Sequence, residues 1–129
     1  MKKLTLIFTL LVSTVIFSSP SYAEWTKVGV DVKGDTYYVD FESVKKHNGY
    51  IYYWVLSNYL EPDKYQGMSH KVYYKADCEI SRYKDLSIMT YKEPMGRGTP
   101  ITDNTPAENW KHPSPDSQNA GILRIVCSR

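Results

Sequence analysis

Tyr50-Ile51-Tyr52-Tyr53-Trp54-Val55-Leu56-Ser57-Asn58-Tyr59 is the most regular strand pattern in this chain. Its aromatic and β-branched side chains favour extended structure. Strand alternation gives each face its own apolar set: one holds Ile51, Tyr53, Val55 and Tyr59, and the other holds Tyr50, Tyr52, Trp54 and Leu56. Apolar character on both faces is typical of a central strand whose two faces are at least partly covered. The sequence therefore predicts a sheet built around residues 50–59.

The downstream segments continue this sheet. Ser69 to Cys78 alternates cleanly, and its apolar face holds Val72, Tyr74, Ala76 and Cys78. Arg82 to Tyr91 also has strand composition, but its alternation is disturbed. A β-bulge or burial of both faces would explain the disturbance, and the sequence does not decide between them.

The upstream segments predict a hairpin and a short helical turn. Trp25 to Val32, with Val28, Val30 and Val32 on one face, is expected to pair with Thr36 to Val39 across a Lys33-Gly34-Asp35 turn. Asp40 is expected to cap a helical turn over Phe41 to Lys46. Asn48-Gly49 supplies the residues that a tight turn needs before the aromatic strand.

The last third of the chain changes character. Five prolines between Pro94 and Pro115 rule out continuous regular structure there. Arg97 stands between Gly96 and Gly98 in a predicted exposed loop, and it is the candidate protein-binding residue because arginine is enriched among interface hot spots. The same segment holds Trp110, Lys111 and His112. For Trp110 we favour packing beneath a closing helix over a role in binding.

The closing helix carries one of the two cysteines. Asp116 and Ser117 can cap it, and its apolar stripe holds Ala120, Leu123, Val126 and Cys127. Because Cys78 lies on the apolar face of its strand, the two cysteines are expected to form a structural disulfide. The loop-entropy model assigns such a bond about 4 kcal/mol. We therefore predict an α+β domain, a β-sheet of about five to six strands with a C-terminal helix tied to it by one disulfide.

The first 23 residues have the pattern of a Sec-type signal peptide. Met1-Lys2-Lys3 is positive, Leu4 to Phe17 is apolar, and small residues precede a cleavage site between Ala23 and Glu24. The apolar stretch is shorter than the roughly 20 residues that span a bilayer. We expect an exported chain, residues 24–129, with no integral membrane segment after cleavage.

Composition and motifs argue against several classes of function. Lys2 and Lys3 account for the whole formal net charge of +2, so the exported chain is neutral and lacks the long-range field that attracts nucleic acid. The three histidines, His47, His70 and His112, have no metal-ligand spacing, and no P-loop or nucleophile elbow occurs. We expect no catalytic residues, no cofactor, no metal and no nucleic-acid partner.

A series of short stretches gives the chain a second kind of signature. They run in order from end to end: Trp25-Thr26-Lys27-Val28-Gly29, Thr36-Tyr37-Tyr38-Val39-Asp40, Asn48-Gly49, Tyr74-Lys75-Ala76-Asp77-Cys78, Arg82-Tyr83, Tyr91, Pro94-Met95-Gly96, Gly98, Asn109-Trp110, Pro113, Pro115 and Ile125-Val126-Cys127. In this order, and with both cysteines in place, residues 24–129 resemble the surface-adhesin protein E-like family. The resemblance implies an antiparallel sheet, a C-terminal helix tied on by the disulfide, and a host-protein-binding role.

The resemblance also bears on location. The family's named member looks like a lipid-anchored surface protein, but no cysteine stands at the predicted cleavage site here. We expect no lipid anchor and a soluble periplasmic or secreted protein. The preferred function is a non-enzymatic module of the Gram-negative envelope that binds a host or envelope protein. The alternatives are a periplasmic inhibitor or accessory subunit that inserts residues 94–115 into a partner's cleft, and a small hydrolase with a site assembled from scattered residues.

Overall fold

The computed structural model describes residues 24–129, so the predicted signal peptide lies outside the described residues. An antiparallel sheet accounts for most of the regular structure. Its strands are β1 (Thr26–Val30), β2 (Thr36–Val39), β3 (Lys45–His47), β4 (Tyr50–Asn58), β5 (Ser69–Asp77), β6 (Arg82–Tyr91) and β7 (Ile101–Asp103). One helix, α1 (Gln118–Cys127), closes the chain, and 3₁₀ turns occur at Phe41–Ser43 and Pro94–Gly96.

Strand β4 is the centre of the sheet, as its sequence predicts. The strand order is β1-β2-β4-β5-β6-β7, and β3 pairs with the first residues of β4 beside β2. The disturbed alternation of β6 has its cause in a register shift opposite Tyr73 and Tyr74, which is the bulge alternative. The seven strands exceed the predicted number because β3 and β7 are only three residues long.

The hydrophobic core lies between the sheet and α1. Ile51, Tyr53 and Val55 of β4 pack with Ala76 of β5 and Val39 of β2. From the helix, Ile122, Leu123 and Val126 join this cluster. The predicted apolar faces of β4 and β5 are therefore confirmed, and no α-helix within residues 24–129 covers the opposite face of the sheet.

The disulfide joins α1 to the end of β5. Cys78 and Cys127 are bonded, with their Cα atoms 5.7 Å apart, which confirms the predicted staple. Ser117 caps the helix, as the sequence suggested, because its hydroxyl oxygen accepts a hydrogen bond from the Ala120 N–H at 3.2 Å.

Two local predictions near the N-terminus are wrong. The expected common face of Val28, Val30 and Val32 breaks down: only Val28 packs against the core, and Val32 is fully exposed. A register shift between Lys27 and Gly29 changes which face β1 presents. The expected helical turn over Phe41 to Lys46 ends at Ser43, without a side-chain cap from Asp40, because Lys45–His47 pairs with β4 instead.

Candidate protein-binding groove

Two loops meet at the end of the sheet where β4 ends and β5 begins. Residues 59–68 join β4 to β5, and residues 92–100 join β6 to β7. Between them lies a groove of about 530 Å³, and its lining includes Asp63, Tyr65, His70, Lys92, Glu93, Arg97 and Ile101. We call this the Arg97 groove.

Asp63 holds the first loop in shape. Its Oδ1 accepts hydrogen bonds from the N–H groups of Tyr65 and Gly67, both at 2.8 Å. Its Oδ2 lies 3.2 Å from Nε2 of His70. The hydrogen bonds from these donors, above all the one from the Gly67 N–H, hold the pKa of the Asp63 carboxyl below its usual value. The loop is therefore organised around one ionised carboxylate.

Asn58 and Ser69 fix the second loop to the sheet. Oδ1 of Asn58 accepts a hydrogen bond from the Met95 N–H at 2.7 Å. The Ser69 hydroxyl, fully buried, donates to the Glu93 carbonyl at 2.6 Å and accepts from the Gly96 N–H at 2.9 Å. Glycine is favoured at position 96, because its φ is +66° and a Cβ there would displace the end of the Lys71 side chain.

Among the described residues, Arg97, like Lys92, is a cation of the groove without an ion pair. It is exposed, and within residues 24–129 its guanidinium makes no hydrogen bond or ion pair. The side chains of Tyr65 and Ile101 line the same groove and are 74% and 72% exposed. An unpaired guanidinium beside two exposed apolar side chains is a combination that protein interfaces use.

The structure separates Arg97 from the other residues that the sequence marked in its segment. Trp110 stacks on Tyr50, the first residue of β4, whereas the Arg97 loop is tied to Asn58 at its last residue. Lys111 extends its Nζ to within 3.3 Å of an Asp85 oxygen. The prediction that Trp110 packs beneath the helix is wrong: Tyr50 alternates with core residue Ile51, so Trp110 lies on the other face.

The sequence did not single out the residues that organise the groove. Asp63 follows a proline and precedes a glycine by four residues, a signal that predicts a polar loop there but does not show that the carboxylate organises it. Asn58 and Ser69 carried no such signal, because their partners lie more than twenty residues away in the chain. Within residues 24–129, no three His, Cys, Asp or Glu side chains are grouped so that they could hold a metal ion. No helix in that range is long and apolar enough to cross a membrane.

Comparison with known proteins identifies the family. The model of the surface-adhesin protein E family matches residues 25–128, nearly the whole described chain. The chain belongs to this family. A search of curated proteins finds no significant match.

Solved structures share the fold. Crystal form II of Haemophilus influenzae protein E is 18% identical, with a TM-score of 0.62 over 84% of this chain and 91% of that one. Protein E from non-typeable Haemophilus influenzae is also 18% identical, with a TM-score of 0.58 over 85% of this chain and 79% of that one. At this identity the likeness shows the fold, an antiparallel sheet with one C-terminal helix.

Proposed function

We propose that this protein is an exported, non-enzymatic module that binds a host or envelope protein through the Arg97 groove. Its membership of a surface-adhesin family supports the general role. The observation that carries the choice of site is the Arg97 guanidinium, which has no ion pair among residues 24–129 and lines the groove with the exposed Tyr65 and Ile101. A signal peptide at residues 1–23 would deliver the chain to the periplasm or beyond.

The loops of the groove are already ordered, which favours recognition. Asp63 holds one loop, and Asn58 and Ser69 hold the other. A binding surface that is fixed before the partner arrives avoids much of the entropy cost of ordering loops on association. Loops held on a rigid scaffold are also where binding residues are concentrated.

The alternative of an inhibitor that inserts residues 94–115 into a partner's cleft has less support. That segment runs along the sheet edge: β7 pairs with β6, and the Ala107 N–H donates to the Asp85 carbonyl at 2.8 Å. Lys111 and Tyr83 exchange two backbone hydrogen bonds. A segment fastened at three points does not protrude as an insertion loop would.

The test is affinity capture with residues 24–129, followed by binding measurements on the purified partner. Arg97→Ala should weaken binding at least about tenfold, since hot-spot truncations cost about 2 kcal/mol or more and a tenfold change corresponds to about 1.4 kcal/mol. Arg124→Ala, which removes an exposed arginine on α1, is the matched control and should bind like the parent. If Arg97→Ala folds and binds like the parent, the groove is not the recognition site.

A further inference from the structure

The sheet face opposite α1 carries a row of three lysines and one tyrosine across four strands. Lys45 of β3 lies opposite Tyr52 of β4, Tyr52 lies opposite Lys75 of β5, and Lys75 lies opposite Lys84 of β6. Directly opposed residues of antiparallel strands project from the same face. With strands about 4.8 Å apart, the row is about 14 Å long.

Three cationic side chains contact the Trp110 ring at one end of this row. The ring also stacks on Tyr50 with the centroids 5.7 Å apart. Arg82 Cζ lies 4.3 Å from the Trp110 ring centroid, Lys84 Nζ 4.9 Å and Lys75 Nζ 5.8 Å. Cation–π attraction therefore holds three positive side chains together on this face.

Further aromatic rings extend the surface. Tyr73 of β5 lies 4.8 Å from Trp54 and 6.1 Å from Tyr52, measured between ring centroids. All three are partly exposed. We call this surface the basic aromatic face, and it consists of Lys45, Tyr50, Tyr52, Trp54, Tyr73, Lys75, Arg82, Lys84 and Trp110.

Negative charge is sparse among the strands that form this face, although Asp40 lines a pocket beside Trp54. Strands β3 to β6 contain two acidic residues, Asp77 and Asp85. Asp77 is paired with Arg82 at 3.1 Å, and Asp85 lies opposite Tyr74 on the helix side. Residues 24–129 are formally neutral, so the group of Lys75, Arg82 and Lys84 around Trp110 is a local excess of positive charge.

One pair of like charges on this face lowers the stability of the sheet. Lys75 and Lys84 are direct cross-strand neighbours, and like charges in that position destabilise a sheet. Local rules that are broken in this way tend to mark functional surfaces. An anion bound between the two ammonium groups would offset this repulsion.

We propose that the basic aromatic face binds a sulfated glycosaminoglycan, with the chain laid across the strands. This site is separate from the Arg97 groove. A linear polymer with repeated anionic groups matches a row of cations that runs from β3 to β6. Lysine and arginine supply the hydrogen-bond donors that sulfate oxygens accept. The partly exposed rings of Tyr52 and Trp54 supply flat surface against which sugar rings can pack.

Other polyanions fit the face less well. A lipid surface would need apolar side chains to enter it, but none of the strongly exposed large apolar residues belongs to this face. Single-stranded nucleic acid stacks its bases on a series of open rings. The Trp110 ring is covered by Tyr50 and three cations, and the partly exposed rings of Tyr52 and Trp54 that remain already pack against Tyr73.

The test uses residues 24–129 and heparin as the sulfated probe. Lys45→Gln, Lys75→Gln and Lys84→Gln are combined in one variant. The control combines Lys33→Gln, Lys46→Gln and Lys64→Gln, which remove the same charge elsewhere; Lys46 lies opposite Ile51, on the helix side. The first variant should bind heparin at least tenfold more weakly, with a salt dependence reduced by about two to three charges. The control should stay within about twofold of the parent.

Several outcomes of these measurements would overturn the proposal. A parent that does not bind heparin at physiological salt overturns it, and so does an equal loss in both triple variants. Tighter binding of single-stranded DNA, of anionic lipid vesicles or of unsulfated hyaluronan also overturns it. If the triple variant unfolds, Lys84→Gln against Lys46→Gln repeats the comparison with one charge each. Unchanged heparin binding by Arg97→Ala would show that the two sites are independent.

Discussion

The rings of Tyr50 and Trp110 stack with an interplanar angle of 26°. Tyr50 begins the central strand, and Trp110 belongs to the proline-rich segment. Next to the stack, Lys111 and Tyr83 exchange backbone hydrogen bonds of 2.8 and 3.0 Å. The irregular segment is thus fastened to the sheet by an aromatic contact on one face and a short bridge at the edge.

Replacing Trp110 tests that fastening. Trp110→Ala should lower the free energy of unfolding by about 1–3 kcal/mol, because it removes an aromatic pair and its partly buried area. Trp110→Phe keeps a ring and should recover most of the loss. Urea unfolding followed by circular dichroism measures both variants. Equal stability of Trp110→Ala and the parent would show that the stack is not a structural contact.

The disulfide gives a second stability prediction. Cys127→Ser should lower the free energy of unfolding by about 2–5 kcal/mol, since the unfolded chain loses its cross-link. Cys78→Ser should have the same effect, and the double variant should be no worse than either single one. Denaturant titrations with and without reductant provide the measurement. A parent protein that is equally stable when reduced would contradict the expected role of the bond.

Much of the fold could be predicted because its signals are local. The alternation in Tyr50 to Tyr59 and Ser69 to Cys78 predicted the core faces of β4 and β5. The apolar stripe through Leu123 and Val126 predicted the core face of α1. Strand β3 could not be predicted, because Lys45–His47 is short, polar and exposed. Only its pairing with β4, a tertiary contact, makes it a strand.

The candidate sites also combine features that local sequence predicts with features that only tertiary contacts create. Glycines on both sides marked Arg97 as an exposed loop residue, and the structure places it there. The position of Trp110 depends on which strand the proline-rich segment crosses, and no local pattern encodes that. The row formed by Lys45, Lys75 and Lys84 is likewise invisible along the chain, because cross-strand register creates it.

Signal cleavage after Ala23 stays a prediction about the exported protein. Small residues at Ser21 and Ala23 fit the positions that signal peptidase reads. N-terminal sequencing of protein recovered from the periplasm or medium should begin Glu24-Trp25-Thr26. Intact mass measurement should show no acyl group. A retained Met1 or a lipid on the new N-terminus would show that the chain is processed differently.

The Asp63 carboxylate gives the last prediction, a response to acid. Its pKa is lowered in the folded state from an ordinary value of 3.8. As the pH falls through about 4, Asp63 is therefore protonated in the unfolded chain while it is still ionised in the folded chain. The contribution of Asp63 is present above its unfolded pKa and is lost as the pH falls through the folded one.

The 61–67 loop should then loosen before the sheet does. The amide signals of Tyr65 and Gly67, the two N–H donors to Asp63, should shift together with the Asp63 side-chain carbon in an NMR titration. Asp63→Ala should speed hydrogen exchange at both amides at neutral pH, while Glu61→Ala, in the same loop, should not. If exchange is unchanged in Asp63→Ala, the backbone hydrogen bond from the Asp63 N–H to the Gly67 carbonyl is enough to hold the loop. The wall of the Arg97 groove would then not depend on the carboxylate.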